Sequence, residues 1–230
     1  MKKIMFFWMA ALLFSVTASA QYYPYGRPNT HKSHSRYSSY HSRHNRLDDS
    51  YGGLRLGLSL ANVSSDSPYL DGNKMRAGVV AGLVGGTRIA GYTPLYFEAG
   101  LLFSQKGGKC ESGGEKFTYA LDYLEVPLVF KYKADLGGDV TIEPFVGGYA
   151  ALGVGGKIKD YQYREAYSSF GDKYNDNFKR FDGGIRVGCG FSFDQFYLEG
   201  AYDFGLANVG KDDFDDTHTG ALNLTLGMNF

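Results

Sequence analysis

The sequence predicts an all-β protein: an eight-stranded, antiparallel, up-and-down transmembrane β-barrel that follows a disordered N-terminal tail. Three observations predict this fold. Apolar and polar residues alternate with a period of two in eight successive stretches after residue 50. The connections between these stretches are alternately long and short. The 230 residues include 32 Gly, 19 Tyr and 17 Phe but only 6 Pro, a composition that suits many short strands joined by turns.

Residues 1–20 have the pattern of a secretory signal peptide. Lys2 and Lys3 form a positive n-region, an apolar stretch runs from Ile4 to Val16, and small residues precede Gln21. The apolar stretch is shorter than the roughly 20 residues that a transmembrane helix needs. We therefore expect a mature chain that begins at Gln21.

Residues 21–50 are basic and rich in His, Ser and Tyr, and they predict a disordered tail in the periplasm. This composition cannot bury enough apolar surface to offset the entropy of ordering. The tail holds two H-x-x-H pairs whose neutral imidazoles could bind Zn or Cu: His31 with His34, and His41 with His44. No rigid element is predicted to hold these ligands, so we expect no metal and no cofactor. The basic residues could instead contact anionic peptidoglycan or lipid head groups.

Residues 51–230 form the predicted barrel, in which each strand has one apolar and one polar face. Charges in mid-strand lie opposite a continuous apolar face, which favours a lipid-facing apolar surface over a soluble sandwich or barrel. This arrangement predicts a location in the cell outer membrane. The strands are expected near residues 54–60, 75–86, 95–104, 119–132, 140–153, 181–193, 196–204 and 222–230.

The connections after the odd-numbered strands are long and polar, near residues 61–74, 105–118, 154–177 and 207–218. Short periplasmic turns and long external loops are typical of outer-membrane barrels, and an even number of strands returns the C-terminus to the periplasm. This topology places Cys110 in an external loop and Cys189 on the lipid-facing side of strand six, in its periplasmic half. Because a disulfide requires Cα atoms within about 7 Å, we expect no disulfide between them.

Four segments carry a resemblance to a known family. Tyr123–Tyr132 (YLEVPLVFKY), Gly53–Ser59 (GLRLGLS), Leu101–Gly107 (LLFSQKG) and Leu198–Tyr202 (LEGAY) resemble the Bacteroidetes outer-membrane β-barrel proteins of the PorT-like "porin family". The resemblance spans about residues 52–230 and implies an outer-membrane barrel with a secretion-linked role. The terminal Phe230 resembles the recognition signal that barrel-assembly machinery reads in outer-membrane proteins. We therefore expect two partners, the barrel-assembly machinery and outer-membrane lipid.

Nine charged residues fall on the polar, inward faces. Eight strands enclose a lumen just wide enough for side chains, and buried charges persist only when they are paired. These residues therefore predict an interior salt-bridge network that plugs the lumen, and the alternative is a narrow ion path or a small-solute channel along the same groups. The set is Arg55, Arg76, Glu98, Glu125, Lys131, Glu143, Arg186, Glu199 and Asp203.

Aromatic residues are dense in the third external loop. They predict either a binding surface for an envelope protein or a glycan, or a loop that packs onto the barrel rim. These residues are Tyr161, Tyr163, Tyr167, Phe170 and Tyr174.

The barrel region offers no evident catalytic constellation. A lipid-modifying hydrolase needs a nucleophile beside a positioned base, whereas Ser104 is an inward hydroxyl and the one barrel histidine, His218, lies in the last loop. The formal net charge of +0 argues against nucleic acid as a partner. The sequence thus predicts a non-enzymatic, plugged barrel that acts as an anchor or accessory subunit, with a channel as the alternative and a lipid-modifying enzyme favoured least.

Overall fold

The structure is a computed structural model that describes residues 49–65, 74–91, 93–112, 115–137, 140–160, 165–170, 178–210 and 216–230. The predicted signal peptide and residues 21–48 of the predicted tail, with their four histidines, lie outside the described residues. Within the described ranges, no helix is long and apolar enough to cross a bilayer.

The described residues form eleven strands: β1 Ser50–Ser65, β2 Lys74–Arg88, β3 Leu95–Ser112, β4 Glu115–Tyr132, β5 Ala134–Gly137, β6 Val140–Gly155, β7 Lys157–Asp160, β8 Glu165–Ser168, β9 Phe181–Phe193, β10 Phe196–Gly205 and β11 Thr217–Asn229. Eight long strands close into an antiparallel barrel in the order β1-β2-β3-β4-β6-β9-β10-β11, and β11 pairs again with β1. Three short strands lie outside the closed ring: β5 pairs with β6, and β7 joins β4 to β8. The eight-stranded barrel predicted from the alternation is therefore confirmed.

The apolar face of each strand points outward. In the β1–β11 pairing, Leu56 lies opposite Leu226, and these side chains are 61% and 67% exposed, whereas Arg55 between the leucines of β1 is 2% exposed. Since successive side chains on a strand point to opposite faces, the register of this pair places the leucines of β1 and β11 outside and their polar neighbours inside. The inverted pattern of a membrane barrel follows directly.

The two ends of the barrel differ. We call the end that holds the connections after β2, β4 and β9 the turn end, and the opposite end the loop end. Gly52 and Phe230 exchange backbone hydrogen bonds of 2.8 and 2.9 Å, so the start of β1 and the C-terminus both lie at the turn end. The connection after β9 is the two-residue turn Asp194–Gln195, in which Asp194 has a positive φ of 53°.

The strands extend further toward the loop end than the sequence predicts. The predicted loop at 105–118 is mostly a hairpin of β3 and β4, and the predicted loop at 154–177 contains β7 and β8. Backbone pairing continues beyond the apolar part of the outer surface. Outward residues there are no longer apolar, so hydrophobic alternation cannot predict where the strands end. Gly107 allows the extension of β3: its φ is 123°, and a Cβ there would collide with the Tyr119 carbonyl.

The predicted loop position of Cys110 is wrong, because this residue belongs to β3. Its side chain lies outside the described residues. Cys189 lies on β9 as a free thiol whose Sγ is 3.7 Å from the Gly190 carbonyl oxygen.

Candidate functional site

The loop-end half of the lumen is organised around Lys106 on β3. Its Nζ lies 3.0 Å from Glu125 Oε2, 3.4 Å from Asp182 Oδ2 and 3.9 Å from Asp203 Oδ2, and the side chain is fully buried. The ammonium also lies 3.8 Å from the centroid of the Tyr149 ring, a cation–π contact. Three carboxylates from β4, β9 and β10 thus converge on one lysine.

Arg186 on β9 binds two of these carboxylates, Glu125 and Asp203, and also Glu199. Its Nη1 lies 2.7 Å from Glu125 Oε1 and 3.3 Å from Asp203 Oδ1, and its Nη2 lies 3.3 Å from Glu199 Oε1. The Asn223 amide donates a 2.7 Å hydrogen bond to Asp203. A buried guanidinium with this many acceptors is the kind of paired charge that an interior tolerates.

Lys131 and Arg55 continue the network toward the turn end. Lys131 Nζ lies 2.9 Å from Glu98 and 3.4 Å from Glu199, and it donates a 2.6 Å hydrogen bond to the Tyr197 hydroxyl. Arg55 lies 3.6 Å from Glu98, with its guanidinium 3.9 Å from the centroid of the Tyr197 ring. Tyr197 is therefore enclosed between two cations.

Tyr51 and Lys133 cover the turn end of the lumen. The Tyr51 hydroxyl donates a 2.6 Å hydrogen bond to Glu98, and Lys133 Nζ lies 3.9 Å from the centroid of the Tyr51 ring. Glu143 lies 3.5 Å from Lys133 and accepts a 2.7 Å hydrogen bond from Ser192. Lys133 belongs to the turn between β4 and β5, where burial lowers the pKa of its ammonium group and the Glu143 carboxylate opposes that shift.

An apolar cluster, which we call the loop-end plug, fills the opposite end. Phe178 and Val209 are 0% exposed, and the Phe178 ring meets the Tyr119 ring edge-on at 5.9 Å between centroids. Residues from barrel strands and from the segments beyond them pack together here. The cluster consists of Tyr119, Leu121, Tyr123, Tyr149, Ala151, Ile158, Phe170, Phe178 and Val209.

Phe170 is the one member of the predicted aromatic loop whose side chain the structure describes. It is 5% exposed, and its ring lies 5.6 Å from the Tyr123 ring between centroids. It packs onto the barrel, the second of the two alternatives drawn from the sequence, and is not an exposed contact residue. Tyr161, Tyr163 and Tyr174 lie outside the described residues, as does the side chain of Tyr167.

A small interior cavity lies between these groups. Its volume is about 10 Å³, which is room for about one water molecule. It lies at mid-height of the lumen, beside Arg55, Glu98, Leu102, Arg186 and Thr225.

Eight of the nine predicted charged residues are buried in the lumen, the exception being Arg76. The guanidinium of Arg76 is half-buried and donates a 2.7 Å hydrogen bond to the Lys106 carbonyl, so it borders the network. Three further charged residues of the network, Lys106, Asp182 and Lys133, are not in the predicted set. Lys106 falls in the loop predicted at residues 105–118, although the inward alternation of β3 continues through it.

Three inward aromatic rings lie directly over glycines of neighbouring strands. A Cβ on Gly86 would be 2.3 Å from the Tyr51 ring, one on Gly190 would be 2.2 Å from the Tyr197 hydroxyl, and Gly153 faces Phe170 in the same way. Glycine is required at such positions because only a residue without a Cβ leaves room for the ring.

Replacing Gly86 by Ala is expected to lower the free energy of unfolding by about 1–3 kcal/mol, because the new methyl group displaces Tyr51 from the turn end. Urea unfolding of the refolded chain in lipid vesicles measures this loss. Gly91→Ala is the matched control, since a Cβ at Gly91 would have nothing within 4 Å. Equal stability of the two variants would show that Tyr51 is not held by Gly86.

A family model described as "Outer membrane protein beta-barrel domain" matches residues 42–210. No curated protein matches the chain. Among solved structures, the chain is similar to the attachment invasion locus protein Ail of Yersinia pestis, with 15% identity over 80% of this chain and 100% of that chain, at a TM-score of 0.42. Neisserial surface protein A is 15% identical over 80% and 98% of the two chains, at a TM-score of 0.43. A major outer membrane protein from Thermus thermophilus is 14% identical over 79% and 99%, at a TM-score of 0.44.

Proposed function

Because this chain belongs to the outer membrane protein β-barrel domain family, we propose that it is a non-enzymatic barrel with a closed lumen that serves as an anchor or accessory subunit in the outer membrane. The observation that carries this proposal is the filled lumen, whose mid-height cavity measures about 10 Å³. A barrel without a conduit presents its loops and termini to other envelope components.

The closure has three layers that support this reading. The loop-end plug is apolar, the middle is held by Lys106 and Arg186, and Tyr51 covers the turn end. An ion crossing the lumen would have to separate buried ion pairs, and an uncompensated buried charge costs about 3–5 kcal/mol. This cost argues against the alternative of a narrow ion path.

The positions of Ser104 and His218 support a non-enzymatic role. Ser104 is fully buried on the inner face of β3, whereas His218 lies on β11 next to Ser64 of β1 and 3.4 Å from Asp216. A serine hydrolase requires its base within hydrogen-bond reach of the hydroxyl. These two residues lie on opposite faces of the barrel wall.

We place the turn end in the periplasm, with the tail, and the loop end outside the cell. Short turns on one side and long hairpins on the other are the outer-membrane pattern. Phe230 is 80% exposed at the turn end, which suits recognition of the C-terminus by assembly machinery. A PorT-like, secretion-linked role in a Bacteroidetes envelope remains a proposal that rests on the segments YLEVPLVFKY and LEGAY.

Planar-bilayer recording tests the closed lumen. The refolded wild-type barrel is expected to give no discrete conductance steps. Co-flotation of the refolded barrel with the lipid vesicles used for fusion confirms that it has inserted. Steps from the wild-type protein would overturn the proposal and favour a channel.

Quantitative mass spectrometry of the native chain in mild detergent tests the accessory role. One envelope protein recovered at a constant molar ratio is expected. Recovery of the barrel with bulk lipid alone would contradict the accessory-subunit proposal while leaving the closed lumen intact.

A further inference from the structure

A register row that crosses four neighbouring strands near the loop end is rich in lysine. Lys74 of β2 pairs with Lys109 of β3, Lys109 pairs with Thr118 of β4, and Thr118 pairs with Lys159 of β7. Lys157 is two residues from Lys159 on β7 and therefore shares its face. We call Lys74, Lys109, Lys157 and Lys159 the lysine row, and all four side chains are exposed.

The row faces outward from the barrel. In the β3–β4 register, the outward residue Phe103 pairs with Leu124, and Gln105 pairs with Asp122. Lys109 lies four residues after Gln105 and therefore on the same outward face. Phe103 is 37% exposed on the outer surface, while Lys106 between Gln105 and Gly107 is buried in the lumen. The row thus continues the lipid-facing surface and does not line the mouth of the lumen.

The height of the row matches a head-group layer. Outward apolar residues on β3 end at Phe103, and the Gln105–Asp122 hydrogen bond of 3.2 Å marks the change to polar contacts. Lys109 follows Phe103 by six residues, which corresponds to about 15 Å toward the loop end at 3.3 Å per residue and a strand tilt near 40°. Long lysine side chains can lean back over part of that distance.

Lys74 and Lys109 carry like charges and lie directly opposite each other on neighbouring strands. Like charges in such cross-strand pairs repel each other. An anion bound beside the pair would lower this repulsion.

We propose that the lysine row binds the phosphate groups of an anionic lipid of the surrounding leaflet, of the phosphorylated glycolipid class. The positive charge of the lysines favours a phosphate group as the ligand. The row continues the lipid-facing surface of the barrel, which favours a phosphate that belongs to a lipid. Each lysine near a charged leaflet contributes an attraction of about 1 kcal/mol. Several lysines in one row therefore keep such a lipid bound when the protein is diluted in detergent. This inference is independent of whether the lumen is closed.

Native mass spectrometry of the full refolded chain in a neutral detergent, with diphosphoryl lipid A added, tests the proposal. The Lys109→Gln/Lys157→Gln/Lys159→Gln variant is expected to bind at least about tenfold more weakly than the wild type. The Lys109→Arg/Lys157→Arg/Lys159→Arg variant keeps the charge and is expected to bind within about twofold, and Lys179→Gln removes a lysine outside the row as a matched control.

Three results would overturn the proposal. The first is unchanged lipid A binding by the triple Gln variant, in a preparation whose circular dichroism spectrum matches that of the wild type. The second is displacement of lipid A by equimolar inorganic pyrophosphate, which would make the row a site for a soluble anion. The third is equal binding of monophosphoryl and diphosphoryl lipid A, because the monophosphoryl form is expected to bind more weakly.

Discussion

Replacing Arg186 by Met is expected to lower the free energy of unfolding by about 3–5 kcal/mol. The substitution removes the cation that lies 2.7 Å from Glu125 and within 3.3 Å of Glu199 and Asp203. Those carboxylates are buried and cannot regain water, so the loss of their shared partner leaves charge uncompensated. Urea unfolding of the refolded chain in phosphatidylcholine vesicles, followed by circular dichroism, measures the effect.

Two controls isolate the buried charge. Arg76→Met removes an arginine that is half-buried and bonded to a backbone carbonyl, and it is expected to cost about 1 kcal/mol or less. Arg186→Met combined with Glu125→Gln is expected to be less destabilised than the sum of the single changes, because the two side chains interact directly. If the free energy of unfolding of Arg186→Met lies within about 1 kcal/mol of the wild-type value, the buried carboxylates do not depend on Arg186 for charge compensation.

Replacing Phe178 by Ala is expected to cost about 3–5 kcal/mol through the cavity that it leaves in the loop-end plug. Phe178 is 0% exposed, packs edge-on against Tyr119, and forms a backbone bridge with Gly210. The same urea experiment measures the loss, and limited proteolysis at the loop end is expected to become faster because the plug holds the segments around Phe178 and Gly210.

Phe181→Ala is the matched control for this change. Phe181 is three residues further along, at the start of β9, and is 59% exposed on the outer face. Its truncation leaves no internal cavity, so a loss of at most about 1 kcal/mol is expected. Equal losses for the two variants would contradict the packing role of Phe178. Phe178→Ala is also expected to remain non-conducting, since Lys106 and Arg186 still fill the middle of the lumen.

The faces of the strands could be predicted almost residue by residue. On β11, Leu224 and Leu226 point outward and Asn223 and Thr225 point inward, as the alternation predicts. The prediction was wrong where alternation loses its apolar members. The sequence predicts an external loop at Lys106 because Gln105 replaces an apolar residue on the outer face, yet pairing of β3 with β4 continues to Ser112.

Local sequence patterns are enough to predict the number of barrel strands, the inward and outward face of each strand, and the opposite charges in the lumen. These features follow from a period of two, which each strand displays in its own sequence. Which charges meet is a property of the folded barrel, because Arg186 and Glu125 are 61 residues apart in the chain. Their contact depends on the stagger at which eight strands close into a ring, a property of the whole sheet that no single strand encodes. The same ring closure brings Tyr51 over Gly86 and Phe178 against Tyr119, so residues that are distant in the sequence meet at each end of the lumen.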